Sequence, residues 1–321
     1  MKNHTIAALL AAPFLLLAPA VAGADYPEKP IRVIIPFSAG GGTDVHVRLM
    51  QDKLEEALRT NLVIENRGGA GGTIGCGIAA AADPDGYTLL VTSASYTFGP
   101  NFYKNLRYDP VKSFHSITNL AQGPLVLGVH PSVPARSVKE LVALATRFPG
   151  RLNYASAGVG SNIFMSTELF NYMAKIKMTQ IAYKGGGPAT IGLISGETDV
   201  IITALTSAIP QMKQGRMRGL AVTTKERSFL LPDLPTINES GVPGYDKASW
   251  YGMYAPAAVP KDIINKIYTS VAKVLKDPVI TQRLKDQGSV AVGNPPDEFT
   301  TFVHTELKEW AKLIKDMDIK I

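Results

Sequence analysis

Three turns of this chain join a short apolar run to a helical-period segment through glycine: FSAGGGTD (37–44), ASAGVGSN (155–162) and YKGGGPAT (183–190). A turn of this kind commits the chain to strand–loop–helix units. The unpaired backbone N–H groups at the start of each helix point at the loop, and the helix dipole favours negative charge there. Glycine permits close approach and unusual dihedrals. Ser38, Thr43, Ser156 and Ser161 add hydroxyl donors. One such loop is as readily a plain turn; three, spread over two halves of one chain, point to an anion site.

The remaining sequence keeps the same alternation. IRVII, LVIEN and the run after DPDG read as buried strands, separated by an amphipathic helix over 44–59, capped by Thr43 or Asp44, and a small-residue helix over 73–82. A second region starts near PLVLGVH (124–130), with helices over 137–147 and 162–175 and strands LNYASA, TQIAY, DVIIT and RGLAVT. SWYGMYAP reads as a strand and two long amphipathic helices close the chain, over 261–276 and 296–315. Continuous apolar strands alternating with helices predict an α/β fold with largely parallel sheets. No loose linker divides it, so two lobes would share short crossing segments, expected near Leu125 to His130 and Leu220 to Lys225.

Residues 1–24 read as a secretory signal peptide: one lysine, an apolar run broken by Pro13 and Pro19, and small residues at A-x-A spacing, with cleavage after Ala24. No later segment is apolar enough to cross a bilayer, so the mature chain is expected to be an exported protein that is not itself membrane-embedded. Its removal takes away only Lys2, and the net charge falls from +6 to +5. The charges are interspersed and form no run of like sign, which argues against a nucleic-acid stripe and for a mild field favouring anionic small molecules. Cys76 is the only cysteine, so no intramolecular disulfide and no cysteine-type zinc site can form.

Specific chemistries can be tested against the motifs. No G-K-[ST] occurs, and SAGGGTD lacks the third glycine of a dinucleotide fingerprint. There is no G-x-S-x-G, and His46, His115, His130 and His304 have no metal-ligand spacing. His46, beside the opening loop, reads as a surface histidine. Asp199 stands at a strand start, where capping and a strand-end ligand contact are comparable readings. GGAGGTIG (68–75) suits close packing of a helix at least as well as binding. Phe37, Tyr96, Phe98, Phe164, Tyr183 and Trp250 lie near the loops; any two lining a cleft could sandwich a ligand.

The ordered set PFSAGGGTD, IENRGGAGGTIG, PDGYTLL, NYASAGVGS, YKGGGPA, LAVTTKERS, LPDLPTINESGVPGY and SWYGMYAPAAVP resembles the Bug family, over about Tyr26 to Lys312. These are the TctC-like periplasmic receptors of tripartite tricarboxylate transporters. The resemblance implies a two-domain flytrap of the periplasmic-binding-protein type (type II-like). Its lobes would comprise 25–124 with 226–321, and 125–225. It implies a ligand carboxylate held by Phe37, Ser38, Ala39, Gly40, Gly41 and Thr43 of one lobe. Ala157, Gly158, Gly160, Ser161 and Asn162 of the other would face them, with Ser95, Phe164, Lys184, Asp199 and Thr203 as further candidates.

Several positions depart from the family pattern. Phe164 stands where a histidine is frequent, Thr203 where an aspartate is common, FGPNFY replaces an INPxLY-like stretch, and Cys76 replaces a small residue. If Phe164 and Thr203 face the cleft, its far end is apolar, which tilts toward a di- or tricarboxylate, aliphatic or aromatic, and against an amine. The reading is a monomeric, non-enzymatic receptor without cofactor that passes a small organic carboxylate to membrane transporter subunits. An exported hydrolase using Ser161 or His46, and a carboxylate receptor serving a signalling partner, are the alternatives.

Overall fold

The structure, a computed structural model, describes residues 26–319. The expected signal peptide lies outside the described residues. The first lobe is laid down by β1 (Ile31–Ile35), α1 (Gly42–Leu58), β2 (Leu62–Asn66), α2 (Thr73–Ala80), β3 (Thr88–Ser93) and the short α3 (Ser95–Phe98). β4 (Phe114–Val129) then leads to α4 (Val138–Arg147), β5 (Asn153–Ser156), α5 (Asn162–Ala174) and β6 (Thr179–Ala182). α6 (Gly186–Ile194), β7 (Val200–Ala204), α7 (Leu205–Lys213) and β8 (Arg218–Val222) complete the second lobe. β9 (Ala248–Pro256), α8 (Lys261–Leu275), α9 (Pro278–Lys285), β10 (Val290–Ala291) and α10 (Pro296–Met317) return to the first.

The strands follow the order β2-β1-β3-β9-β4-β7-β5-β6, with β8 and β10 also on β4. β1, β2 and β3 are parallel, as are β5, β6 and β7, which is the outcome of strand–helix–strand connections. The two central strands differ from the expected parallel plan: β9 runs antiparallel to β3 and β4, and β4 antiparallel to β7 and β8. β4 spans sixteen residues and serves both lobes, its first part pairing with β9 up to Pro124 and its last five residues with β7.

Helical periodicity maps directly onto the cores. Met50 and Leu54 of α1 and Ile267 and Val271 of α8 share one cluster with Ile31 and Val33 of β1. Ala189 and Leu193 of α6 cover Val126 and Ile201 in the second lobe. Besides the four-residue α3, two helices escape the sequence pattern. α7 carries Pro210 inside it, and α9 is short and capped by Asp277, whose Oδ1 accepts the Val279 N–H at 2.7 Å.

The lobes join at a knot centred on Thr223, which is fully buried. Its hydroxyl accepts the Leu125 N–H at 2.9 Å and donates to the Lys247 carbonyl at 2.6 Å, while the Lys247 N–H donates to the Thr223 carbonyl at 2.8 Å. The return expected at residue 226 comes later. Val222 N–H donates to Pro235 O, Ile237 N–H donates to Val222 O, and Val222 bridges Thr236, so the segment between β8 and β9 packs on the second lobe. Its prolines and glycines carry no period that would have revealed this edge pairing.

Candidate functional site

The first glycine loop is braced from inside its helix. Gly41, not Thr43 or Asp44, is the N-cap of α1, and no side chain caps it. Asp44, in the first turn, reaches back instead: its Oδ2 accepts the Gly40 N–H at 2.9 Å, and its Oδ1 accepts Arg48 Nε at 2.9 Å and Asn66 Nδ2 at 3.0 Å. In the second loop Ser161 caps α5, its Oγ accepting the Phe164 N–H at 3.2 Å, which leaves the hydroxyl proton free to donate elsewhere. α6 begins at Gly186 with Pro188 in its first turn, and α7 begins directly after Ala204.

These four helix starts converge. A cavity of about 430 Å³, mouth included, lies between the lobes and is lined by Phe37, Gly41, Gly42, Thr43, Ser93, Leu125, Ala157, Ser161, Asn162, Ile163, Gly186, Thr203, Ala204 and Tyr251. No charged side chain is among these residues. The first-turn N–H groups of an α-helix have no intrahelical acceptor, and each helix start carries about half a positive charge. The cavity is thus electropositive through backbone alone, with apolar walls from Phe37, Leu125 and Ile163.

Two neighbouring rings keep it neutral over a wide pH range. Tyr251 stacks on His46, with ring centroids 4.1 Å apart. Burial pushes the Tyr251 hydroxyl up to about 12 and pushes the His46 imidazole down to about 4. His46 is therefore no surface residue, since it is only 1% exposed. Its Nδ1 faces the Gly42 carbonyl at 2.7 Å, which can only accept, so in the neutral ring Nδ1 donates and Nε2 accepts from Ser289 Oγ at 2.9 Å. A β-carbon on Gly42 would lie 2.5 Å from the Tyr251 hydroxyl, so glycine is what lets the helix start approach this ring.

Of the sixteen candidate residues, the structure brings Phe37, Gly41, Thr43, Ala157, Ser161, Asn162 and Thr203 to the cavity. Ser38, Ala39, Gly40, Gly158, Gly160 and Lys184 lie instead on the seam between lobes or at the surface. Ser38 uses both its N–H (3.3 Å) and its hydroxyl (2.9 Å) to donate to the Lys184 carbonyl, and the Lys184 ammonium is turned to solvent. Ser207 Oγ donates to Gly40 O at 3.3 Å and Tyr103 OH to Val159 O at 3.0 Å, closing the seam at two further points. GGAGGTIG also belongs here: Gly71, at φ +61°, lies so near the Val159 carbonyl that a β-carbon would be 2.0 Å from it.

Three further expectations are corrected. Ser95 sits one step behind the wall, its hydroxyl 3.0 Å from that of Ser93, and Ser93 is the residue that reaches the cavity. Phe164 follows Ile163 by one helical step and points away, edge-to-face on Phe102 with centroids 5.5 Å apart. Asp199 precedes the N-terminal end of β7, where its Oδ2 accepts the Asn153 N–H at 2.7 Å; Thr203 is four residues on, roughly 13 Å away along an extended strand. Sequence reasoning missed Gly42, Ser93, Leu125, Ile163, Gly186, Ala204 and Tyr251 as individual lining residues. For Tyr251 the signal was strand alternation. Its neighbour Trp250 faces the other way, donating Nε1–H to Glu306 at 3.1 Å and packing on Phe299.

Known proteins share this architecture. The sequence model of the tripartite tricarboxylate transporter family receptor, TctC, matches residues 46–319. BugT of Bordetella pertussis is 30% identical over 307 residues, covering 95% of this chain and 94% of BugT. An R. palustris protein solved with adipate superposes with a TM-score of 0.88 at 34% identity, over 91% of this chain and 98% of that one. MatC from Rhodopseudomonas palustris, with bound malate, gives 0.84 at 30% identity, over 90% of this chain and all of MatC. The chain is a periplasmic solute-binding protein, not an enzyme, and belongs to the Bug/TctC receptor family of tripartite tricarboxylate transporters.

Proposed function

We propose that this receptor captures a small organic carboxylate with two or three acidic groups in the inter-lobe cavity and presents it to the membrane subunits of a tripartite tricarboxylate transporter. The observation that carries the reading is the convergence of the α1, α5, α6 and α7 starts on a cavity lined by no charged side chain. Backbone N–H groups and the hydroxyls of Thr43 and Ser161 would hold carboxylate oxygens by charge-assisted hydrogen bonds. The helix starts come from both lobes, which suits a ligand acidic at more than one end, with Phe37, Leu125 and Ile163 beside its carbon body. The adipate and malate held by the two R. palustris relatives are of this class.

Closure follows from the same geometry. A ligand touched by both lobes favours the state in which they meet, because only that state supplies the full set of contacts. Residues 1–24 would direct export and be removed after Ala24. A thermal-shift screen over mono-, di- and tricarboxylates, aliphatic and aromatic, tests the reading. At least one di- or tricarboxylate should raise the melting temperature in a saturable way, and stabilisation by none at millimolar concentration would refute it.

A further inference from the structure

Beyond the carboxylate cleft, a second cavity opens on the other side of the first turn of α5. It measures about 1050 Å³, mouth included, and is bounded by β5, α5, β6 and the end of α10. Phe164 forms part of its wall, whereas Asn162 and Ile163 line the cleft. Its only carboxylate on α5 is Glu168, which is largely buried and held in one orientation. Glu168 Oε1 accepts the Tyr154 hydroxyl at 2.5 Å and Asn171 Nδ2 at 3.2 Å. Its other oxygen receives no hydrogen bond from the described residues, and the neighbouring Asn171 Oδ1 is buried without a partner.

We propose that this cavity is a binding site for a small organic ammonium with an apolar or aromatic body. A carboxylate takes only donors. An oriented, partly desolvated carboxylate with an unused oxygen is best matched by a cation that also donates. Tyr172, which is about half exposed, supplies ring surface for the body of such a ligand and for cation–π contact with its head, with Val159 and Ile176 beside it. Burial raises the Glu168 carboxyl above the usual carboxylate range. Lys177 and Asp318 also line the cavity, and Lys177, an exposed cation on the same wall, would repel an ammonium ligand.

Calorimetric titration of the whole protein at neutral pH with benzylamine, and with benzyl alcohol as its neutral counterpart of the same shape, tests the assignment. Benzylamine should bind with one-to-one stoichiometry, and benzyl alcohol about tenfold more weakly or not at all, the loss expected for one charge-assisted contact. Glu168→Gln should weaken benzylamine by a similar factor, and Lys177→Ala should tighten it. A saturating carboxylate in the cleft should not displace it, which separates the two sites. No benzylamine binding, equal binding of the alcohol, displacement by the carboxylate, or a Lys177→Ala variant that binds more weakly would each overturn the proposal, and the last holds even if Glu168→Gln fails to fold.

Discussion

Gly42→Ala sets two effects of known sign against each other. Gly42 is the first helical residue of α1, outside the left-handed region, so alanine meets no backbone strain and should gain about 1 kcal/mol of helix propensity at most. The added methyl, however, would sit 2.5 Å from the Tyr251 hydroxyl, 3.0 Å from the Ala204 β-carbon and 3.3 Å from Tyr251 Cζ. Tyr251 is held by its stack on His46, so the ring cannot swing away freely. Overpacking of this kind costs about 1–3 kcal/mol, leaving a net loss of up to about 2 kcal/mol against the propensity gain. Tyr251→Phe removes the closest atom, so the double variant should recover about 1 kcal/mol or more relative to the sum of the single changes. Urea unfolding of the four proteins measures this coupling. Ligand affinity should fall in Gly42→Ala, since residues 42 and 251 both line the cavity. A Gly42→Ala protein stabilised by the full propensity gain, with no coupling to Tyr251→Phe, would refute the packing argument.

Three further outcomes are expected. Thr223→Val keeps the shape of the side chain but leaves the buried Leu125 N–H and Lys247 carbonyl without the hydroxyl between them, and should cost about 2–5 kcal/mol in chemical denaturation; a loss near zero would show that the knot does not hold the lobes together. His46 takes up a proton near 4 when folded and near 6.5 when unfolded. The unfolded state binds more protons between those values, so stability should fall as pH drops through that window, by up to ~3 kcal/mol. A His46→Gln variant with the same acid sensitivity would assign the effect to other groups. Ser161→Ala should weaken carboxylate binding by about 1–2 kcal/mol, since its free hydroxyl proton is a candidate donor; unchanged affinity in calorimetry would leave the contact to backbone groups.

The parts of the site that were legible are those in which one residue type implies one geometry. Clustered glycines before helical-period segments located the starts of α1, α5 and α6, and these starts do meet at one cavity. What the loops do in detail depends on facts that lie outside local sequence. Lys184 contributes its carbonyl to Ser38 rather than its charge to the cavity, and no side-chain reading would show that. Phe164 and Ile163 differ by one step of helical phase, which decides which of two cavities each faces. Tyr251 and Ser93 are paired across β9 and β3, a register set by antiparallel neighbours distant in sequence. The late return to the first lobe was hidden for the same reason, because Pro235 and Ile237 satisfy β8 through backbone groups alone.

Carboxylate recognition is tested most directly by calorimetry of the dicarboxylate that best stabilises the protein, compared with its diamide, between pH 6 and 9. With charge met by helix starts and no titrating side chain in the wall, one ligand should bind per chain with affinity constant over that range, and the diamide should bind at least about a hundredfold more weakly. A diamide that binds as well as the acid, or an affinity that collapses within that range, would contradict a cavity that recognises carboxylate through its backbone.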